Sequence, residues 1–225
     1  MSAKTNRSRV TETKTALRAR AGKIIAILKK TYPDAKCSLT YMTPHQLLVA
    51  TILSAQCTDE RVNMVTPRLF KKYRSVADFA GANMKELEDD IRSTGFFHNK
   101  ARAIIGSAQI ILDKYNGQMP RTLGEMVALP GVGRKTGSAV LGEAFGIAEG
   151  IVVDTHVRRI SNKLGFTKQS DPIKIERDLM EIIPHDDWIK FTHLMIDHGR
   201  AICIARRPNC KFCPLAKLCP SAETK

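Results

Sequence analysis

Apolar residues recur along most of this chain at intervals of three and four and never in sustained alternation, a pattern that predicts helices and no sheet. Leu17, Ile24, Ile25 and Leu28 share one face of a helix predicted over residues 11–30, which Tyr32-Pro33-Asp34 ends. Thr43-Pro44 supplies an N-cap and a first-turn proline for residues 45–55, whose nearly all-round hydrophobicity predicts burial. Asp59 is expected to cap the next helix, which runs to about Tyr73. Short helices over 75–80 and 84–93 take Ser75 and Asn83 as caps and stop at Gly95. Residues 95–98 then read as a loop, and 100–115 as an amphipathic helix ended by Asn116-Gly117. Thr122 and Glu125 have capping-box spacing at the start of 122–128, a glycine hairpin follows, and 134–145 reads as the helix after it. The β-branched run Ile151 to Val153 is too brief to found a sheet. Helices from Asp154 or Thr155 to about Leu164, over 171–182 and over 186–202 complete the pattern. With no repeat of 20 to 50 residues, the expected fold class is all-α with short links and no solenoid.

The 225 residues suffice for a real core, in one domain or two small ones. Charge sharpens this picture, since 36 Lys and Arg against 22 Asp and Glu give a net charge of +14 and favour a polyanionic partner. No apolar run approaches the roughly 18 residues that span a bilayer, so a soluble protein without membrane contact is expected. The first thirty residues hold nine Lys or Arg and Glu12 as the lone acid. Organelle transit peptides share that composition and stay open, but a bacterial basic arm in the cytoplasm, attracting DNA without sequence preference through residues 1–13, is the preferred reading.

The hairpin Leu129-Pro130-Gly131-Val132-Gly133-Arg134-Lys135-Thr136 is the first chemical candidate. Both glycines are expected to supply backbone geometry that other residues adopt only at a cost, with Val132 at the tip. The first amides of the following helix form a natural seat for one phosphate. A dinucleotide-binding G-x-G-x-x-G fails because Thr136 stands at its third glycine, and no G-x4-G-K-[ST] can be drawn. A helix-hairpin-helix DNA-binding module remains. Lys135 alone would be one more phosphate contact, and Asp154 alone a helix cap. Together they support sharper chemistry. A lysine amine, ordinarily near 10.4, becomes a nucleophile where partial desolvation and a neighbouring cation such as Arg134 lower it, and a carboxylate stabilises positive charge on a sugar as a base leaves.

Six cysteines are present, and four crowd into the last 23 residues as Cys203-x6-Cys210-x2-Cys213-x5-Cys219. Four soft thiolates in so short a stretch point to one metal centre in a reducing compartment. Structural zinc is the rival, but zinc sites usually use two close pairs and only Cys210 and Cys213 form one, so the spacing leans to an iron–sulfur cubane. Arg206, Arg207, Lys211 and Lys217 lie among the ligands and can offset an anionic cluster or meet DNA. Cys37 and Cys57 read as small buried hydrophobes.

SAQCTD at 54–59, GFFHNKA at 95–101, LPGVGRKT at 129–136, VDTHV at 153–157 and the four cysteines stand in one order. From about Thr15 onward the chain resembles the endonuclease III family, the bifunctional DNA glycosylases of the helix-hairpin-helix superfamily. The resemblance implies two helical domains with DNA in the cleft between them. One is a six-helix domain over 37–149 carrying the helix-hairpin-helix at about 122–146, and the other joins 1–36 to 150–225 around a 4Fe-4S cluster held by Cys203, Cys210, Cys213 and Cys219. It implies excision of damaged, oxidised pyrimidines by Lys135 with Asp154, followed by β-elimination through a lysine Schiff base, on double-stranded DNA carrying a damaged base or abasic site, by a monomer. DNA contacts are expected at Leu129, Gly131, Val132, Gly133 and Arg134 and at Arg206 and Arg207 in the loop 204–209. Gln56 and Phe96 would fill the hole left by the flipped nucleotide. Phe96 departs from the leucine common there. Gly137-Ser138 also departs from the family pattern, predicting a looser first turn. His98 and His156 either line the base pocket or satisfy backbone groups, and Phe97 packs in the core. A monofunctional mismatch or adenine glycosylase is the rival within the superfamily, disfavoured by Lys135, and a non-catalytic DNA-binding module is the rival outside it.

Overall fold

The computed structural model describes residues 12–223, so the basic arm falls largely outside the described residues. All regular structure within them is helical, as the apolar spacing predicts. The α-helices are α1 (Lys14–Thr31), α2 (Pro44–Leu53), α3 (Asp59–Lys72), α4 (Val76–Ala80), α5 (Met84–Ile91), α6 (Phe97–Tyr115), α7 (Leu123–Val127), α8 (Arg134–Phe145), α9 (Thr155–Lys163), α10 (Pro172–Met180) and α11 (Trp188–Ala201). No helix among the described residues is long and apolar enough to cross a membrane.

Side-chain caps decide most helix starts. The hydroxyls of Thr13, Thr43, Ser75 and Thr122 and the side-chain oxygens of Asn83, Asp154 and Asp171 each accept an amide of the first turn. Several starts differ from the sequence reading, α1 opening at Lys14 behind Thr13 and α11 at Trp188, and two of the differences bear on the site. Thr58, not Asp59, caps α3, because its hydroxyl accepts the Arg61 amide and leaves Asp59 inside the first turn. Helix α6 begins at Phe97 instead of Lys100, entered from a left-handed Phe96 that makes no side-chain cap bond.

The buried hydrophobic side chains form two clusters. One draws on α2 to α8, with Leu47, Leu53, Phe79, Ile91, Ile104, Ile111 and Leu141 at its centre. The other joins Ile24 and Leu28 of α1 to Ile160 of α9, Leu179 of α10 and Phe191 of α11. The first helix thus returns to the C-terminal part of the chain. Lys190 fastens that return by donating to the carbonyls of Pro33 and Ala35, and Arg18 by donating to that of Glu181.

His45 is buried against Phe79, its Nε2 has no partner, and burial pushes its imidazole down to about 4. The unfolded chain binds this proton near 6.5 and the folded chain only near 4, so unfolding takes up a proton in between. Stability from this site therefore falls as pH drops from about 6.5 and is fully lost below about 4, a difference on the order of 3 kcal/mol. His45→Leu is expected to flatten the fall in Tm between neutral pH and pH 4, and an unchanged slope would refute that origin.

Candidate active site

The hairpin between α7 and α8 is a tight turn built by Pro130 and Gly131. The Val132 amide donates to the Leu129 carbonyl at 3.1 Å, and Gly131 sits at φ +72°. A Cβ on Gly131 would also stand 2.6 Å from the Cβ of Ala103 in α6. Gly133 differs from the sequence reading: its φ is −86° and nothing lies within 4 Å of a Cβ placed there. It is the extended N-cap of α8 and makes no side-chain cap bond, so its smallness leaves the first amides of α8 open to approach. Leu129 and Val132 turn their side chains into the core, 2 % and 5 % exposed, and the Val132 amide is spent within the turn. Gly137 also has a packing reason, since a Cβ there would meet Leu123 at 3.0 Å and Met126 at 3.2 Å.

Lys135 lies in the first turn of α8, and Asp154 caps α9 by accepting the Val157 amide at 2.7 Å. The two line one cavity of about 310 Å³, which α2 and α8 wall on one side and α9 and α11 on the other. Lys135 is exposed, so the expected partial desolvation is absent from the free protein. Arg134 is also committed elsewhere, with two guanidinium nitrogens on the two oxygens of buried Glu176 at 3.0 and 3.1 Å. His156 lines the cavity with a buried, partnerless Nδ1, and burial holds its imidazole below the usual range. His98 lies outside the cavity and pairs with Glu88 at 2.8 Å.

Several lining groups escaped the sequence reading. Glu143 of α8 pairs with His193 of α11 inside the cavity, and Asp59 joins Ser38 to Arg200 at its edge. Partners separated by 50 and 141 positions leave no local spacing signal. Cys37 also lines the cavity, and burial raises its thiol to about 11, in keeping with an unreactive small hydrophobe.

Gln56 and Phe96 lie in the links after α2 and before α6. Both are exposed, Phe96 by 61 %, and both are left-handed, at φ 53° and 47°. Among the described residues only Asn116 shares that condition without being glycine. Such backbone costs about 1–3 kcal/mol per residue and clusters at functional positions.

Cys203, Cys210, Cys213 and Cys219 are free, half-buried thiols around one largely apolar cavity floored by Ile160, Leu164 and Leu215. Among the described residues, no group of three or more His, Cys, Asp or Glu is arranged to hold a metal ion. Burial raises the thiols of Cys203 and Cys213 above the ordinary cysteine range. Arg159 donates to the Cys203 carbonyl at 2.6 Å, while Arg206 and Arg207 are exposed on the loop between the first two cysteines.

A glycine hairpin thus feeds α8, whose Lys135 faces one cleft with Asp154. The family model of the HhH-GPD superfamily base excision DNA repair protein matches residues 49–185. Endonuclease III of Synechocystis sp. is 56 % identical over 204 residues, which is 91 % of this chain and 93 % of that protein. A solved non-covalent endonuclease III–DNA complex superposes with a TM-score of 0.85 at 46 % identity, covering 91 % of this chain and 96 % of the other. A trapped endonuclease III–DNA covalent intermediate gives 0.84 at 46 % identity, covering 93 % and 97 %. The chain belongs to the endonuclease III family.

Gly131→Ala is expected to cost roughly 2 kcal/mol, through both its φ and the Ala103 contact, and Gly133→Ala less than about 1 kcal/mol. Thermal melts of the two variants check the contrast, and equal losses would contradict it.

Proposed function

We propose that the chain is a bifunctional DNA glycosylase and abasic-site lyase that removes damaged pyrimidines from duplex DNA. The observation that carries this reading is the meeting of Lys135 and Asp154, from two helix starts, in one cavity large enough for a nucleotide-sized group. Lys135 Nζ attacks C1′ of the extruded sugar, forming an N–C1′ bond as the glycosidic bond breaks and the base leaves with the bonding pair. Asp154 spends one oxygen on the Val157 amide, which fixes its carboxylate against the cavity and aims its negative charge at the developing positive sugar. The attached ammonium then gives a proton to solvent, and the C1′–O4′ bond breaks with O4′ taking up a proton, which leaves an iminium between Lys135 Nζ and C1′. Loss of a C2′ proton then expels the 3′ phosphate by β-elimination.

The first amides of α8 hold one backbone phosphate, with Gly133 giving it room, and thereby set the strand's register beside Lys135. The contribution of Leu129 and Val132 is to build the turn from the core side. Desolvation reaches Lys135 only when DNA covers the cleft, and Arg134, paired with Glu176, adds little net positive charge beside it. Gln56 and Phe96 enter the duplex where the nucleotide has left, with the flat ring of Phe96 between bases.

Cys203, Cys210, Cys213 and Cys219 hold a 4Fe-4S cluster in this reading. Four thiols around one cavity suit a group that brings its own iron and sulfide. Its bound charge would keep the thiolates ionised and fix the loop bearing Arg206 and Arg207 against the DNA backbone.

Borohydride trapping on abasic DNA is expected to give a covalent adduct with the wild type and none with Lys135→Ala. Equal trapping by both would remove the lysine from the mechanism, and no adduct with either would leave a monofunctional enzyme. Asp154→Asn is expected to fold, keep iron and sulfide, and lose about 10²–10³-fold in excision. Full activity in that variant would exclude the carboxylate.

A further inference from the structure

Lys100, in the first turns of α6, is buried to 4 % exposure and takes no part in the proposed chemistry. Its ammonium donates to the Leu53 carbonyl at 2.7 Å and to the Thr94 carbonyl at 2.8 Å. Leu53 is the last residue of α2, three positions before Gln56, and Thr94 ends the short 3-10 turn after α5, two positions before Phe96. Both are carbonyls that helical geometry leaves without a partner in their own element. The Lys100 amide donates in turn to the Phe96 carbonyl at 3.1 Å. One residue therefore grips both links that carry the left-handed, exposed side chains Gln56 and Phe96.

We propose that Lys100 is a positioning residue that locks the Gln56 link to the Phe96 link, so that the two side chains enter the duplex as one unit when the nucleotide is extruded. The proposal rests on the reading of Gln56 and Phe96 as fillers of that space. A methionine would fill the same volume without burying a charge, and burial does hold this amine below its ordinary range. What methionine lacks is the means to tie two carbonyls from segments 41 positions apart in the chain, Leu53 and Thr94. Its positive charge also faces the partial negative ends of both helical segments, so the tie is favourable on two counts.

The test is a double-mutant cycle on the single-turnover rate of excision from fully paired, damaged duplex. In the Lys100 background, Gln56→Ala and Phe96→Ala are expected to be non-additive by about fivefold, and in Lys100→Met their fold-losses are expected to multiply. Lys100→Met alone should slow excision about tenfold, while cleavage of a preformed abasic site with no base opposite changes less than about threefold. Lys100→Arg, which keeps donors for both carbonyls, should restore most of the rate. Lys100→Gln reaches one carbonyl at most and carries the same comparison where the methionine variant does not fold. Unchanged coupling in Lys100→Met, or equal losses on the paired and the gapped substrate at unchanged Tm, would overturn the proposal. Undiminished excision by Gln56→Ala and Phe96→Ala themselves would instead overturn the filler reading beneath it.

Discussion

The ion pair between Arg134 and Glu176 sits at the join on which the cleft depends. Arg134 is the first residue of α8, built on one apolar cluster, and Glu176 lies in α10, built on the other. Two nitrogens meet two oxygens at 3.0 and 3.1 Å, the bidentate geometry that fixes direction as well as distance. Glu176 is buried, so removal of the arginine would leave a charge in the interior, far costlier than loss of an exposed pair. Gly150 is part of the same arrangement, because a Cβ there would lie 1.9 Å from a Glu176 oxygen. The pair holds the N-terminus of α8, and with it Lys135, one position away.

Asp154 reaches the cavity from the other side by a different constraint. Its carboxylate is pinned by the Val157 amide at the start of α9, a helix whose inner face is packed in the second cluster. The distance between the proposed nucleophile and its carboxylate is therefore set by how two cores meet, not by one loop. Glu143 with His193, and Gly142 against Ile189, are further contacts across that join. This arrangement suits a repair enzyme whose substrate is a stiff duplex, since the cleft is formed by packed helices before DNA arrives.

Most of this was legible where the signal is local. Thr43-Pro44, Ser75, Asn83 and Asp171 announce helix starts because each cap bond closes within three residues. The bounds of α8 could be read from Gly133 and Gly146 on either side. The start of α6 could not, because Phe96 enters it by backbone conformation with no capping side chain to mark it. Thr58 and Asp59 are both good caps, and the start falls where the extended Thr58 lets its hydroxyl accept the Arg61 amide. At the site, Lys135, Asp154 and the cysteines stood out by motif, whereas Glu176, Glu143 and His193 act through partners 42 to 50 positions away, and Lys100 through one partner 47 positions away and one six away. Arg134 stands out by motif too, but its pair with Glu176, 42 positions away, has no local spacing to announce it.

The strained residues tie these observations together. Left-handed backbone at Gln56 and Phe96 persists only where surrounding structure over-determines it, and the surroundings here are two helix ends joined through a buried ammonium. Both side chains are consequently projected outward at low entropic cost, already near the direction in which a duplex would meet them. The same economy appears at the hairpin, where Gly131 absorbs the turn and Gly133 leaves open the amides to which the proposed function assigns a phosphate. Local strain on one side of the cleft and buried charge at the join thus serve one end. On the proposed function, they hold the candidate DNA-contacting groups in place before binding, which leaves binding free energy for extruding the nucleotide.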